Sequence, residues 1–359
     1  MDRVATAPGP ASPAICLGEL LIDMVPEPPG VPLESVEAFR PAVGGAPANV
    51  AAGLARLGNP SRFVGKVGDD AFGRKAVRVL AGTGVQVDRI QVTSKSRTCL
   101  AFVSLTHAGE RDFLFYREPG ADTLLTREEL DQEGLRNAPI FHHGSISLIS
   151  EPSRTATLAA LEWAWEGGAL ISYDPNLREH LWPGPQAAHR WLREPLGRAH
   201  LLKVSAEELA FLMASGETFE PARRPLEPME AAEAAERLAE QYPNLLAVVV
   251  TFGARGAAVR TRWGWSFVPP FQVQAVDTTG AGDAFVAGLL HWIWRAARRQ
   301  GLTPRAMAAA FDRNQWYGAV RFAQGVGALA VTRYGAIPSL PTLREVASFL
   351  AQEGEMELL

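Results

Sequence analysis

Short apolar runs recur along the chain at IFHHGSISL (140–148), ALISYD (169–174), HLLKVS (200–205) and LLAVVVTFG (245–253). Helical stretches such as Glu151 to Gly167 and Met229 to Glu240 separate them. Strands alternating with helices specify a central, mostly parallel α/β sheet, because parallel neighbours need a crossover rather than a tight turn. Ala14 to Val25 (AICLGELLIDMV) reads as a further buried strand, with Asp23 an anomalous carboxylate near its end. Position alone leaves Asp23 equally a cap or a ligand-facing group. GGAPANVAAGLARLG (44–58) enters a helix through a glycine hinge and stops at Gly58. Between Thr98 and Arg117 the sequence alternates as a hairpin with its turn at His107 to Glu110. Residues 1–13 read as a loose arm, and Gly216 to Pro228 as a surface loop rather than a boundary, since the alternation resumes after it.

Charge and cysteine content exclude several classes. Lys plus Arg number 35 against 39 Asp plus Glu, a net charge of -4 that disfavours nucleic acid or a membrane surface as the main partner. Cys16 and Cys99 stand alone in apolar runs, so neither a CxxC metal site nor a disulfide framework is available and a reducing compartment is expected. The N-terminus lacks a signal-peptide pattern and no run approaches the roughly 18 apolar residues of a span, which makes cytoplasmic residence the expectation. His142 and His143 read as strand-packing residues rather than ligands, and Trp163, Trp165, Trp292 and Trp294 as helix-packing residues.

The chemistry concentrates in AVDTTGAGDAFVAGLLHWIWRAA (275–297). Gly280, Ala281 and Gly282 are small residues just ahead of an apolar helix, where unpaired backbone amides converge on an anion. Asp283 falls in the first turn, where the helix dipole favours its ionised form and lets it take a hydroxyl proton late in a phosphoryl transfer. An isolated G-A-G-D serves equally as an N-cap and tight turn. No GxxxxGK[ST] occurs, and Phe285 stands where a dinucleotide fingerprint needs its third glycine.

GELLIDMVP, GGAPANVAAGLARLG, KVGDDAFG, FLFYREPGAD, SYDPNLREHLWP, KVSAEEL, VTFGARG and DTTGAGD follow one another in a single chain. In that combination the sequence resembles the ribokinase-like (PfkB) carbohydrate kinases across residues 14–345, and within them the fructokinases. The resemblance implies one ribokinase-like domain with a small β lid from about 31–43 and 97–117, leaving 1–13 and 346–359 as loose ends. It implies transfer of the γ-phosphoryl group of ATP to O6 of D-fructose, with Mg2+ and a possible K+, in a cytoplasmic homodimer whose lids pack together.

Site roles carry over by the same resemblance. Asp283 becomes the base, and Gly280, Ala281 and Gly282 the donors to the transferring group. Asp23, Gly44, Gly45 and Asn49 would meet the sugar, the glycines by letting backbone approach closely; Asn49 could equally be a buried structural amide. Tyr116 and Arg117 end the hairpin and would close over substrate, or form an ordinary strand end. Asp174, Asn176 and Arg178 follow a strand as binding residues of an open sheet do, with Arg178 left open between phosphate and sugar. Lys203, Thr251, Gly253, Gly256 and Asn314 would line the nucleotide site, Asn314 near the adenine. Glu208 would act on Mg2+ through water, although Ser205 stands where many relatives have Asn, and Glu207 with Glu208 could instead be a first-turn dipole pair. Asp277, Thr279, Ala330, Gly335 and Ser339 would surround the monovalent ion. The nearest competing activity is a 2-keto-3-deoxygluconate kinase, whose acid Tyr116, Arg117 and Arg178 could hold; a non-catalytic interaction protein on the same fold is the competing class.

Overall fold

The computed structural model describes residues 12–27, 31–105, 111–214 and 224–358, so the 1–11 arm, the 107–110 turn and most of the 216–228 loop lie outside the described residues. Strand β1 (Ala14–Leu17) is followed by β2 (Leu21–Glu27), and β3 (Ala38–Gly44) leads into α1 (Ala46–Arg56). Next come β4 (Ser61–Gly68), α2 (Ala71–Gly82), β5 (Gln86–Thr93) and the hairpin β6 (Leu100–Leu105) and β7 (Arg111–Tyr116). Helix α3 (Gln132–Arg136) precedes β8 (Ile140–His143), α4 (Ser153–Glu166) and β9 (Leu170–Tyr173). The alternation continues through α5 (Pro185–Arg193), β10 (Leu201–Ser205), α6 (Ala206–Met213), α7 (Pro228–Gln241) and β11 (Ala247–Thr251). A hairpin of β12 (Ala257–Thr261) and β13 (Gly264–Val268) ends the sheet, before α8 (Ala281–Gln300), α9 (Pro304–Ala310), α10 (Arg313–Ala330) and α11 (Leu343–Gln352).

The nine-stranded sheet has the order β13-β12-β11-β10-β9-β8-β1-β4-β5, parallel except at β12 and β13. Its inner strands bury both faces. Ala247 and Val249 of β11 enter the core beneath α1, α8 and α10, while Val248 and Val250 enter the core shared with α6 and α7. This is the ribokinase-like α/β architecture. Among the described residues no helix is long and apolar enough to cross a membrane.

A second sheet of four strands, β3-β2-β6-β7, stands apart from the first. It corrects one sequence expectation: Ala14 to Val25 is two strands in two sheets. Leu17, Leu20, Leu21 and Ile22 are all buried, so apolar periodicity reads straight through the break. The residues from 346 onward are also not a loose end. Thr342 and Glu345 form a capping box that starts α11, and Val346 and Leu350 are fully buried. His142 lies 3.0 Å from Ser172 Oγ and the His143 ring stacks on Tyr173, so both pack between strands. Trp163 and Trp294 are buried, whereas Trp165 is substantially exposed on α4.

Candidate active site

Helix α8 begins without a side-chain cap. Gly280 takes the left-handed conformation (φ 76°, ψ 2°), where only glycine is unstrained, and a Cβ there would also press on Ala336 at 3.1 Å. The Ala281 amide bonds Thr278 O at 3.3 Å. The amides of Gly282 and Asp283 follow in the first turn, which has no carbonyl of its own helix to meet. Gly280 therefore shapes the turn. A Cβ on Gly282 would lie 3.0 Å from Lys203 Nζ, so an ammonium faces the same helix end.

Asp283 is buried and accepts a 2.7 Å hydrogen bond from Asn49 Nδ2 on α1. Burial raises its pKa, against the opposing pull of Asn49, Lys203 and Arg178. Asn49 Oδ1 is buried without a protein partner. Asp174 does not line the chamber: it lies behind Lys203, accepting from Nζ at 3.0 Å, and its other oxygen closes a turn with the Asn176 amide at 3.2 Å. Burial disfavours the Lys203 charge, but Asp174 and Glu208 outweigh that and keep the ammonium protonated. Glu208 completes a capping box with Ser205 and also accepts from the Leu177 amide at 2.7 Å, pinning the loop that presents Asn176 and Arg178.

Register decides the rest of the chamber. Asp23 pairs with Ala42 and with Ala101, and Ala101 with Phe115, so these residues share one face of the small sheet. Asp23 and Phe115 line the chamber from that face. Tyr116, one residue on, belongs to the opposite face and is 63% exposed, with its ring against Phe102. Arg117 is likewise not a lining residue; its buried guanidinium donates through Nε and Nη2 to one oxygen, Asp122 Oδ2, at 2.9 and 2.6 Å. Gly45 lines the chamber while Gly44 does not, and both also serve internal fit. A Cβ at Gly44 would lie 2.2 Å from Asp23 Oδ2, and one at Gly45 2.3 Å from Glu19 O. Burial pushes Asp23 up to about 7, with Arg178 opposing.

Two cavities meet at the start of α8. The larger, of 780 Å3, holds Asp23, Asn49, Arg178, Lys203 and Asp283. The smaller, of 290 Å3, is an apolar slot walled by Phe271, Val273, Phe285, Ala328 and Val331. Thr251, Gly253, Thr278, Ala281 and Gly282 border both. A ligand with a flat apolar end and an anionic chain fits that junction, base in the slot and charge at the helix end. Gly256 lines the slot, but Asn314 does not: it is exposed in the first turn of α10, and Gln324, Gly327 and Ala328 from the far end of that helix do so. At 1.5 Å per residue the ten positions from 314 to 324 are about 15 Å apart.

Beside the helix end, Asp277 accepts from Thr279 N, Thr279 Oγ1 and Gly335 N at 2.7–2.9 Å and so clasps two loops together. Ser339 is buried, donating to Ala336 O. The sequence reading also missed Glu19, Phe115, His180 and Arg255, all of which line the larger cavity. Strand alternation carried the signal for Phe115; for the others no local pattern did.

The pattern of the pfkB family carbohydrate kinases matches residues 13–343. This chain belongs to that family. It is 44% identical to fructokinase-1 of Zea mays over 336 residues, covering 94% of this chain and 97% of the relative. A crystal structure of fructokinase with bound ATP from Xylella fastidiosa superposes with a TM-score of 0.82 at 36% identity, covering 96% of this chain and 99% of that one. A double mutant of the Vibrio cholerae O395 fructokinase, bound to fructose, ADP and potassium, gives 0.77 at 32% identity over 96% and 99%. The kinase is thus a sugar phosphotransferase.

Proposed function

We propose that this kinase is an ATP-dependent fructokinase that transfers the γ-phosphoryl group to O6 of D-fructose, giving D-fructose 6-phosphate. The reading is carried by the buried Asp283 at the first turn of α8, bonded to Asn49 and sharing one chamber with Asp23. Support also comes from relatives named fructokinase at more than 40% identity. Asp23 accepts from sugar hydroxyls, and Asn49 Oδ1, lacking a protein donor, accepts another. Asp283 receives the O6 proton as the bond to phosphorus forms; its raised pKa makes it a stronger acceptor than an exposed carboxylate. The amides of Gly282 and Asp283, with Lys203, stabilise the charge on the transferring group.

The donor set fits the expected cations. Among the described residues no three His, Cys, Asp or Glu side chains form a metal cage, which suits Mg2+ held mainly by nucleotide phosphates and water. Glu208 would meet that ion through water, each of its oxygens keeping lone pairs beyond the backbone bonds it accepts. When bound, Mg2+ neutralises charge building on the phosphates. The loops clasped by Asp277 offer carboxylate and carbonyl oxygens of the kind K+ takes, including the neighbourhood of Ala330 and Gly335. A homodimer through the lids is supported by the outer face of the small sheet. There Phe39, Phe102 and Tyr116 form a row of edge-to-face rings, with Leu114 45% exposed beside them.

The keto-deoxy acid reading loses two of its three supports, since Arg117 is held by Asp122 and Tyr116 faces the other way. ADP release with ATP and Mg2+ across fructose, glucose, ribose and 2-keto-3-deoxygluconate tests the proposal, with Asp283→Ala alongside. Fructose-dependent turnover that the variant abolishes is expected. Turnover on another substrate alone overturns the sugar assignment.

A further inference from the structure

Glu19 is a buried carboxylate that the proposed reaction does not use. It is 3% exposed and lies in the turn between the two sheets. Its Oε1 accepts from the Ala46 amide at 2.8 Å, the first residue of α1. That helix lacks a cap of its own: its N-cap residue is Gly45, at φ 116°, and contributes no side-chain bond. Proline at the second helical position removes one orphan donor, leaving the amides of Ala46 and Ala48 in the first turn, and Glu19 satisfies the first of them. Asn49 stands one turn further on, its own amide bonded to Gly45 O at 2.8 Å, and hands its side chain to Asp283. The chain of contacts therefore runs from Glu19 to the start of α1, to Asn49, to Asp283.

We infer that Glu19 is a positioning residue: it caps α1 from the turn between β1 and β2 and so fixes the Asn49 amide against Asp283. The inference rests on Asp283 being the base proposed above. A side-chain cap from residue 45 itself is sterically closed, since any Cβ there would run into Glu19 O. The charged groups facing Glu19 are Arg117 and Asp122, already paired with each other. Those facing Asp283 are Lys203, Arg178, Glu208, Asp23 and Asp174. Loss of Glu19 leaves both sets in place, loosens the start of α1 and removes one group from the wall of the larger cavity.

The test compares Glu19→Ala, Glu19→Gln, Asn49→Ala and the double variant Glu19→Ala/Asn49→Ala, each with a melting curve. The Asn49→Ala change removes the hydrogen bond that holds the Asp283 pKa down. Glu19→Ala is expected to lower kcat about tenfold and to move the acid limb of the pH profile upward by about one unit, as the Asn49 bond slackens. Glu19→Gln keeps an oxygen acceptor for the Ala46 amide and is expected to restore most of both. The double variant is expected to match Asn49→Ala alone, because the two act in series. A second readout needs no turnover: the Asn49 side-chain amide resonance, assigned by its loss in Asn49→Ala, follows the Asp283 titration, and its midpoint should rise in Glu19→Ala. If wild-type protein phosphorylates no sugar, the functional reading fails while that midpoint still tests the link. A raised sugar KM with an unmoved pH limb and midpoint, or an additive double variant, overturns the inference. So does a folded Glu19→Gln as impaired as Glu19→Ala.

Discussion

The end of α8 and the inner face of the small sheet perform comparable tasks, each holding one end of the reaction, yet they are built differently. The first is contiguous: residues 277–283 supply the turn, the first-turn amides and the proposed base within seven positions, and backbone does much of the work. The second takes Asp23 from β2, Phe115 from β7 and Arg178 from a loop after β9, all brought together by register. Backbone groups point where the local fold sends them. Side chains on a strand change face with a shift of one residue.

If that contrast is right, the two regions should respond differently to small changes. Asp283→Asn keeps the shape of the helix end and removes the proton acceptor, so kcat should fall roughly a thousandfold with little change in sugar KM. Steady-state kinetics on fructose check this. A loss confined to KM would move Asp283 from chemistry to binding.

Asp23→Asn should lower sugar kcat/KM roughly a hundredfold, the cost of replacing a charged acceptor. It also has a stability consequence. Burial lifts the folded Asp23 to about 7 from the ordinary carboxylate range. A raised carboxylate is proton-bound longer in the folded state than in the unfolded one, so its cost is absent in acid, grows as pH rises towards 7, and is complete above it. The variant should therefore melt higher than wild type at pH 8, with the gap closing as pH falls towards 4. In the wild type, sugar kcat/KM should decline as pH drops through about 7, as Asp23 takes a proton.

Neighbouring residues on β7 give the sharpest test of register. Phe115→Ala should raise sugar KM about tenfold by opening the chamber wall, while Tyr116→Ala should leave kinetics unchanged and weaken self-association in sedimentation. Equal kinetic effects would mean that facing matters less than proximity. The smallest effect concerns α10: Gln324→Ala should raise ATP KM about threefold through loss of its bond to Val268 O, and Asn314→Ala should not change it.

Much of the fold was legible because its signals are local. Apolar runs at β8, β9, β10 and β11 and the helices between them need only chain-length periodicity to be read. Glycine at 280 and Asp at 283 announce a helix start whatever surrounds them. The errors share one cause. Tyr116 in place of Phe115 is a slip of face, and Asn314 in place of Gln324 is the wrong end of a helix that points at the slot from its far turn. Asp174, Gly44 and Arg117 sit within the right neighbourhood but are occupied by partners from other segments: Lys203, Asp23 and Asp122.

By itself, then, the sequence determined the alternation, the helix start with Asp283 in its first turn and the family to which those motifs belong, since each depends on residues close in the chain. Only the tertiary structure decided that Ala14 to Val25 serves two sheets, that Glu19 caps a helix begun 27 residues later, and which face of β7 looks inward. Those outcomes depend on the pairing of distant strands and on which buried polar group finds which partner, and a polar group leaving water takes the nearest donor in space rather than in sequence.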